Sequence, residues 1–119
     1  MIKVIALLKR RPDLTHAEFS DYWFKKHHPL GERIVPREAL SVRYVQNHAL
    51  HLGAGGEAPY DAVAELLFED AAGMQRWIDW YYSDAGRPLR EDELNFMDIS
   101  KRVVIVTDER VLRDERLSG

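Results

Sequence analysis

Two segments of this chain are apolar on both faces of a β-strand, and this restricts the fold more than any other feature. Met1 to Arg10 reads MIKVIALLKR, with Ile2, Val4, Ala6 and Leu8 alternating onto one face and Ile5 and Leu7 onto the other. Lys101 to Asp108, KRVVIVTD, repeats the pattern through Val103, Val104, Ile105 and Val106. Strands of this kind need cover on both sides. The chain must supply a layer for each face or share one with another molecule.

The first cover is the stretch Leu14 to Leu30, LTHAEFSDYWFKKHHPL. Thr15 followed three residues later by Glu18 is a capping box, in which each side chain satisfies a backbone N–H that the first helical turn leaves without a partner. At 100° per residue, Phe19, Tyr22, Trp23 and Leu30 form one stripe with the stem of Lys26 between them, while Glu18, Asp21 and Lys25 fall opposite. That stripe is expected to lie on a sheet. Pro29 disfavours helical backbone at His28, so the helix is expected to end or change direction there, with a further turn through Gly31 to Val35 as the alternative. The same winding places His27 at the edge of the stripe and His28 almost opposite it, making His27 the inward-looking histidine and His28 a solvent-facing one.

The strand Leu40 to Leu50, LSVRYVQNHAL, puts Val42, Tyr44, Gln46, His48 and Leu50 on one face and Arg43, Val45, Asn47 and Ala49 on the other. Successive Tyr, Gln and His on alternate positions supply neutral hydrogen-bonding groups, which suit a polar pocket better than a dry core. His51 to Pro59 is glycine-rich and reads as a hairpin loop, with no helix start after it to make a phosphate cradle. Tyr60 to Glu69 is the returning strand, with Asp61, Val63, Glu65 and Leu67 on one face. Asp70 caps a second helix, Ala71 to Ser83, whose Met74, Trp77, Ile78 and Tyr81 form a core stripe. Leu89 to Phe96 forms a further short helical segment.

The order strand, helix, strand, strand, helix, strand is the ferredoxin-like split unit, an α+β fold whose four-stranded antiparallel sheet carries two helices on one face. Its other face is then uncovered. A second copy packed sheet to sheet is the simplest cover, giving a homodimer in which the Tyr44 face or its opposite lines an interior cavity.

Other classes are excluded or disfavoured by composition. With 119 residues, 45% of them hydrophobic and 31% charged, the chain makes one domain, residues 1–108, followed by a charged tail, residues 109–119. The absence of cysteine removes disulfides, thiolate metal sites and a cysteine nucleophile. A net charge of −3 with mixed signs gives no field for nucleic acid. No apolar run is long enough to cross a membrane, and no secretory signal opens the chain, so a cytoplasmic location is expected. The histidines do not converge in the numbers a metal site requires, and no metal is expected.

The opening MIKVIALLKRRPDLTHAEFSDYWFKKHHPL, the strand RYVQNH, the strand YDAVAELLFED and the turn DELNFMD together resemble an EthD-domain protein of the dimeric α+β barrel superfamily, over essentially the whole chain. In that superfamily, cofactor-free polyketide cyclases, lactone isomerases and dehydratases use histidines and tyrosines in a cavity, while other members degrade haem or oxidise quinols. The resemblance matches the family's H-x-P-L histidine to His27, its strand tyrosine to Tyr44, and its acidic turn to Asp92, Glu93, Phe96 and Asp98. A related isomerase uses a cysteine, which this chain does not have.

The expected function is therefore small-molecule binding, with His27, Tyr44 and His48 as catalytic residues of a cofactor-independent lyase, isomerase or cyclase. The expected substrate is a hydrophobic aromatic, polyketide-like or lactone molecule of a catabolic route. His48 is favoured as base, with His27 orienting. Gln46, Asp61, Glu65 and Arg43 are candidate substrate-binding residues, although Asp61 and Glu65 also suit structural ion pairs with Arg43 or another basic group. No cofactor is expected. The alternatives are a non-catalytic accessory protein that holds a ligand for a partner oxygenase, and a haem- or quinol-linked monooxygenase.

Overall fold

The computed structural model describes residues 1–50 and 56–116. Strands β1 (Ile2–Leu8), β2 (Arg43–His48), β3 (Ala62–Phe68) and β4 (Val103–Asp108) form one antiparallel sheet in the order β2-β3-β1-β4. This is the ferredoxin-like arrangement. The glycine-rich hairpin loop falls partly, and the end of the tail at 117–119 wholly, outside the described residues.

Register decides which side chains share a face. Ala6 pairs with Ala64 and with Val104, and Ala64 pairs with Gln46, so Ile2, Val4, Ala6 and Leu8 share a face with Ala62, Ala64, Tyr44, Gln46 and His48. Helices cover this face. The small side chains at its centre let Phe19, Trp23 and Phe96 approach the sheet, and these three pack with Leu8, Ala62, Ala64 and Met97 into the buried core. Phe96 is brought there by the backbone: Arg11 N–H donates to the Phe96 carbonyl, Asp98 N–H donates to the Lys9 carbonyl, and Arg10 bridges to Met97.

The first helix starts as its sequence predicts, with the Thr15 hydroxyl accepting from Glu18 N–H and the Glu18 carboxylate accepting from Thr15 N–H. Helix α1 (His16–Tyr22) does not stop at Pro29. It passes through a π turn, Trp23–His27, into α2 (His28–Ile34), and every junction residue keeps right-handed helical backbone. The physical reason is the wider turn. His28 N–H bonds to the Trp23 carbonyl five residues back, so the ladder has already changed register one residue before Pro29, which has no N–H to donate. The extra residue also rotates the next turn about the helix axis. His27 is buried, and His28, expected to face solvent, is half-buried with its ring 5.9 Å from that of Tyr44.

After β3, Asp70 accepts from Gly73 N–H to cap α3 (Ala71–Tyr81), and Gly86 turns the chain into α4 (Arg87–Glu93). At Gly86 the φ of −83° is ordinary; what requires glycine is space. A Cβ there would lie 2.4 Å from the Trp80 carbonyl oxygen and 2.5 Å from that of Tyr81. Among the described residues no helix is long and apolar enough to cross a membrane.

Because backbone cannot move aside as a side chain does, Gly86→Ala is expected to cost about 3 kcal/mol, read as a lowered midpoint in urea unfolding. Trp23→Ala removes the largest buried ring and is expected to cost about 3 to 5 kcal/mol in the same measurement.

Candidate functional site

Strand β2 is an edge strand whose helix-facing side carries Tyr44, Gln46 and His48, and one amide organises the three. Gln46 Nε2 donates to the Trp23 carbonyl at 3.2 Å, an oxygen that can only accept. This fixes the amide orientation. The same nitrogen donates to the Tyr44 hydroxyl oxygen at 3.2 Å, and the amide oxygen faces His48 Nε2 at 3.0 Å. His48 must then carry its proton on Nε2, and Nδ1 keeps its lone pair. Tyr44 accepts from Gln46 and retains its own proton to donate.

The surroundings are aromatic and weakly polar. The His48 ring lies 4.8 Å from that of Trp23 and 6.4 Å from that of Phe24, and Phe24 is largely exposed. Burial, followed by the nearby charge of His16, holds the His48 imidazole below its ordinary value. Desolvation at the hydroxyl pushes the Tyr44 phenol up, against hydrogen bonds from Gln46 and Trp23, although the residue as a whole is 39% exposed. His48 is thus a neutral base and Tyr44 a neutral donor.

His27 belongs to a second group. Its Nδ1 lies 2.8 Å from Asp92 Oδ2, while Asp92 Oδ1 accepts from the Tyr22 hydroxyl at 2.6 Å and from Asn95 Nδ2 at 3.2 Å. Burial pushes the Asp92 carboxyl up, but donation from Tyr22, His27 and Asn95 outweighs it and keeps the group ionised. An ionised carboxylate only accepts, so His27 Nδ1 is the donor and Nε2 the basic nitrogen. The Phe96 ring, 4.9 Å away, closes one side.

Asp61, Glu65 and Arg43 lie apart from both groups. Asp61 precedes β3 and is 2% exposed, with Oδ2 accepting from Arg10 N–H at 2.9 Å and Oδ1 contacting Arg10 Nη1 at 3.0 Å and His16 Nδ1 at 2.8 Å. His16 Nε2 meets the Ala49 carbonyl at 2.9 Å, so both ring nitrogens face acceptors. Asp61 thus ties β1, α1 and the end of β2 together. Glu65 sits on the face opposite the helices, accepting from Lys3 at 2.7 Å and from Asn47 at 2.7 Å, and Arg43 shares that face. The basic partners that the sequence left open are therefore Arg10 for Asp61 and Lys3 for Glu65.

Sequence reading did not find the partners that set these groups. Asp92 enters only through the family's acidic turn, and nothing in its spacing links it to Tyr22, which is 70 residues away. Trp23 is expected as core and is core, yet its carbonyl also anchors Gln46, a backbone role that no side-chain pattern signals.

The four-stranded antiparallel sheet with its helices on one face and this polar edge define an α+β protein of ferredoxin-like fold. The EthD domain profile matches residues 11–100, and the chain belongs to the EthD family. It is similar in structure to an EthD-like protein from Ralstonia eutropha, at 20% identity and a TM-score of 0.68 over 97% of this chain and 96% of that one. An ethyl tert-butyl ether D (EthD) family protein from Bacillus halodurans matches at 22% identity and a TM-score of 0.64 over 92% and 99%. A dimeric protein of ferredoxin-like fold from Bacteroides fragilis matches at 11% identity and a TM-score of 0.60 over 91% and 95%. No curated protein matches the chain.

Asp61 offers a clean test of structural against binding roles. Burial pushes its carboxyl up, but donation from Arg10 and His16 outweighs it, so the folded value lies below the ordinary one. The carboxylate's contribution is then complete above about pH 4, the unfolded value, and is lost as the pH falls through the depressed folded value. Asp61→Asn is expected to cost about 3 kcal/mol at pH 7. Urea unfolding should show the gap between variant and parent narrowing below pH 4.

Proposed function

We propose that the protein binds a hydrophobic aromatic or lactone-like molecule against β2 and acts on it as a cofactor-independent lyase, isomerase or cyclase. The observation that carries this reading is the Gln46 amide, which at once points a protonated hydroxyl from Tyr44 and a bare Nδ1 from His48 away from itself. His48 removes a proton from the carbon next to a carbonyl. The electron pair moves onto the carbonyl oxygen, and Tyr44 donates a hydrogen bond to the enolate that forms. Return of the proton from His48 to another carbon completes an isomerisation, and expulsion of a leaving group completes an elimination. His27, held by Asp92, orients the bound molecule from the helix side. Trp23 and Phe24 supply aromatic surface, and a recess of about 100 Å³ beside His48, lined by Ala49, Tyr60 and Ala62, takes one edge of the molecule while the rest lies open on β2.

The working form in this reading is a homodimer. Ile5, Leu7, Val45, Val63, Leu67, Val103 and Ile105 make an apolar surface on the sheet face opposite the helices, and a second copy would cover it. The Bacteroides fragilis neighbour, described as dimeric, supports this. Light scattering is expected to give twice the chain mass, with Ile105→Lys lowering it.

The chemical step is tested by proton exchange. In D2O the protein is expected to catalyse deuterium uptake next to the carbonyl in members of a panel of aryl ketones and aryl lactones, followed by NMR. His48→Gln should lower exchange by about 10² to 10⁴ and Tyr44→Phe by about 10², with melting temperatures little changed. Because His48 is held below its ordinary value, the rate should rise with pH and reach half its maximum below about 6.5. Binding without exchange across the panel would instead assign a carrier role.

A further inference from the structure

A groove of about 460 Å³ opens between the C-terminal end of α3, helix α4 and the turn leading into β4, and it takes no residue from the Gln46 network or the His27–Asp92 pair. Its floor is a buried triad. The Tyr81 hydroxyl donates to Glu93 Oε1, and Arg102 Nη1 reaches the Tyr81 oxygen at 3.1 Å and Glu93 Oε1 at 3.3 Å. Tyr81 and Glu93 are each 8% exposed. A buried ion pair is costly to desolvate and contributes little net stability, so a floor needed only for packing would be as stable if apolar. Among the described residues, both donors to Glu93 fall on Oε1, and the second guanidinium nitrogen of Arg102 is left for a guest. Burial pushes the Glu93 carboxyl up, against donation from Tyr81 and the charge of Arg102.

The walls specify the guest. Three arginines, at 87, 90 and 102, face two glutamates, at 91 and 93, so the lining carries one positive charge in excess within a chain of net charge −3. Arg90 already bonds the carbonyls of Tyr81 and Ser83, which closes the end of α3. Arg87 is exposed at the rim, where one guanidinium nitrogen donates to Asp84 Oδ1 at 3.0 Å and the others face outward for a guest. Tyr82 and Leu94, both largely exposed, join Ile99 as apolar surface, and the Tyr82 ring stands edge-on to Tyr81 with centroids 4.9 Å apart. One excess positive charge balances one negative charge, whereas Glu93 beneath Arg102 opposes a doubly charged anion.

We propose that this groove binds a small aromatic carboxylate, its carboxylate held by Arg102 and Arg87 and its ring lying on Tyr82, Leu94 and Ile99. The guanidinium fork suits a planar carboxylate. The volume falls within the range of about 300 to 1,000 Å³ common to small-molecule sites.

Benzoate is the probe, titrated into the isotope-labelled full chain and followed by backbone amide NMR. The shifts are expected to saturate and to centre on the lining residues. Benzyl alcohol, the same ring without the charge, and inorganic phosphate, a charge without the ring, are each expected to bind at least about tenfold more weakly. Arg87→Gln, outside the buried floor, should weaken benzoate about fivefold with the fold intact, and Arg102→Gln about tenfold or more. Since Arg102→Gln strands Glu93 and risks unfolding, Arg87→Gln and the two control ligands keep the test decisive. Shifts that spread without saturating would overturn the proposal. So would benzyl alcohol or phosphate binding within about threefold of benzoate, or an Arg87→Gln protein that binds as tightly as the parent.

Discussion

The hydrogen bond from His28 N–H to the Trp23 carbonyl, five residues back, is the constraint on which the helical layer depends. It widens one turn of the helix just before Pro29 and lets the chain continue for another seven residues as α2. Those residues bring α2 close to α4, where a Cβ added at Gly31 would lie 3.8 Å from Leu89 Cδ1. They matter for the site as well. The two adjacent histidines point different ways, His27 reaching Asp92 and the ring of His28 lying 5.9 Å from that of Tyr44. The Trp23 carbonyl also accepts from Gln46, so the widened turn and the edge strand share one backbone oxygen.

Helix α4 separates two polar interiors with adjacent carboxylates. Asp92 turns to His27 and Tyr22, and Glu93 turns to Tyr81 and Arg102. The first carboxylate is kept ionised by three donors, while the second is pushed towards its neutral form by burial. Two neighbouring acids in different environments have different chemistries at one pH.

Much of the fold was legible because it rests on local rules. Period-two alternation placed the strands, Thr15 with Glu18 placed the first helix start, and Asp70 placed the second. A further turn past Pro29, through Gly31 to Val35, was legible as an alternative; the π turn that joins it to α1 without a break was not, since it depends on the match between helix and sheet and not on residue preference. The grouping of Tyr44, Gln46 and His48 followed from alternation alone. Which side of the sheet they face did not, because β1 and β4 are apolar on both sides and give the pattern no preferred direction. Asp61 and Glu65 share a strand face by alternation, yet the first is locked at the mouth of β3 by Arg10 and the second by Lys3, partners brought close only by the sheet order.

That order has a consequence for how the chain is made. Of the four strands, β1 is made first and is central in the sheet, pairing on one side with β3 and on the other with β4, the last of the four. Until β4 arrives, one edge of β1 has its backbone donors and acceptors open along a strand of apolar side chains. Such an edge is a template for any other extended segment. Sheet closure joins contacts far apart in sequence and is slow for that reason. During synthesis, protection of that edge depends on the speed with which the last strand docks, so β4 is a kinetic safeguard as well as a structural element.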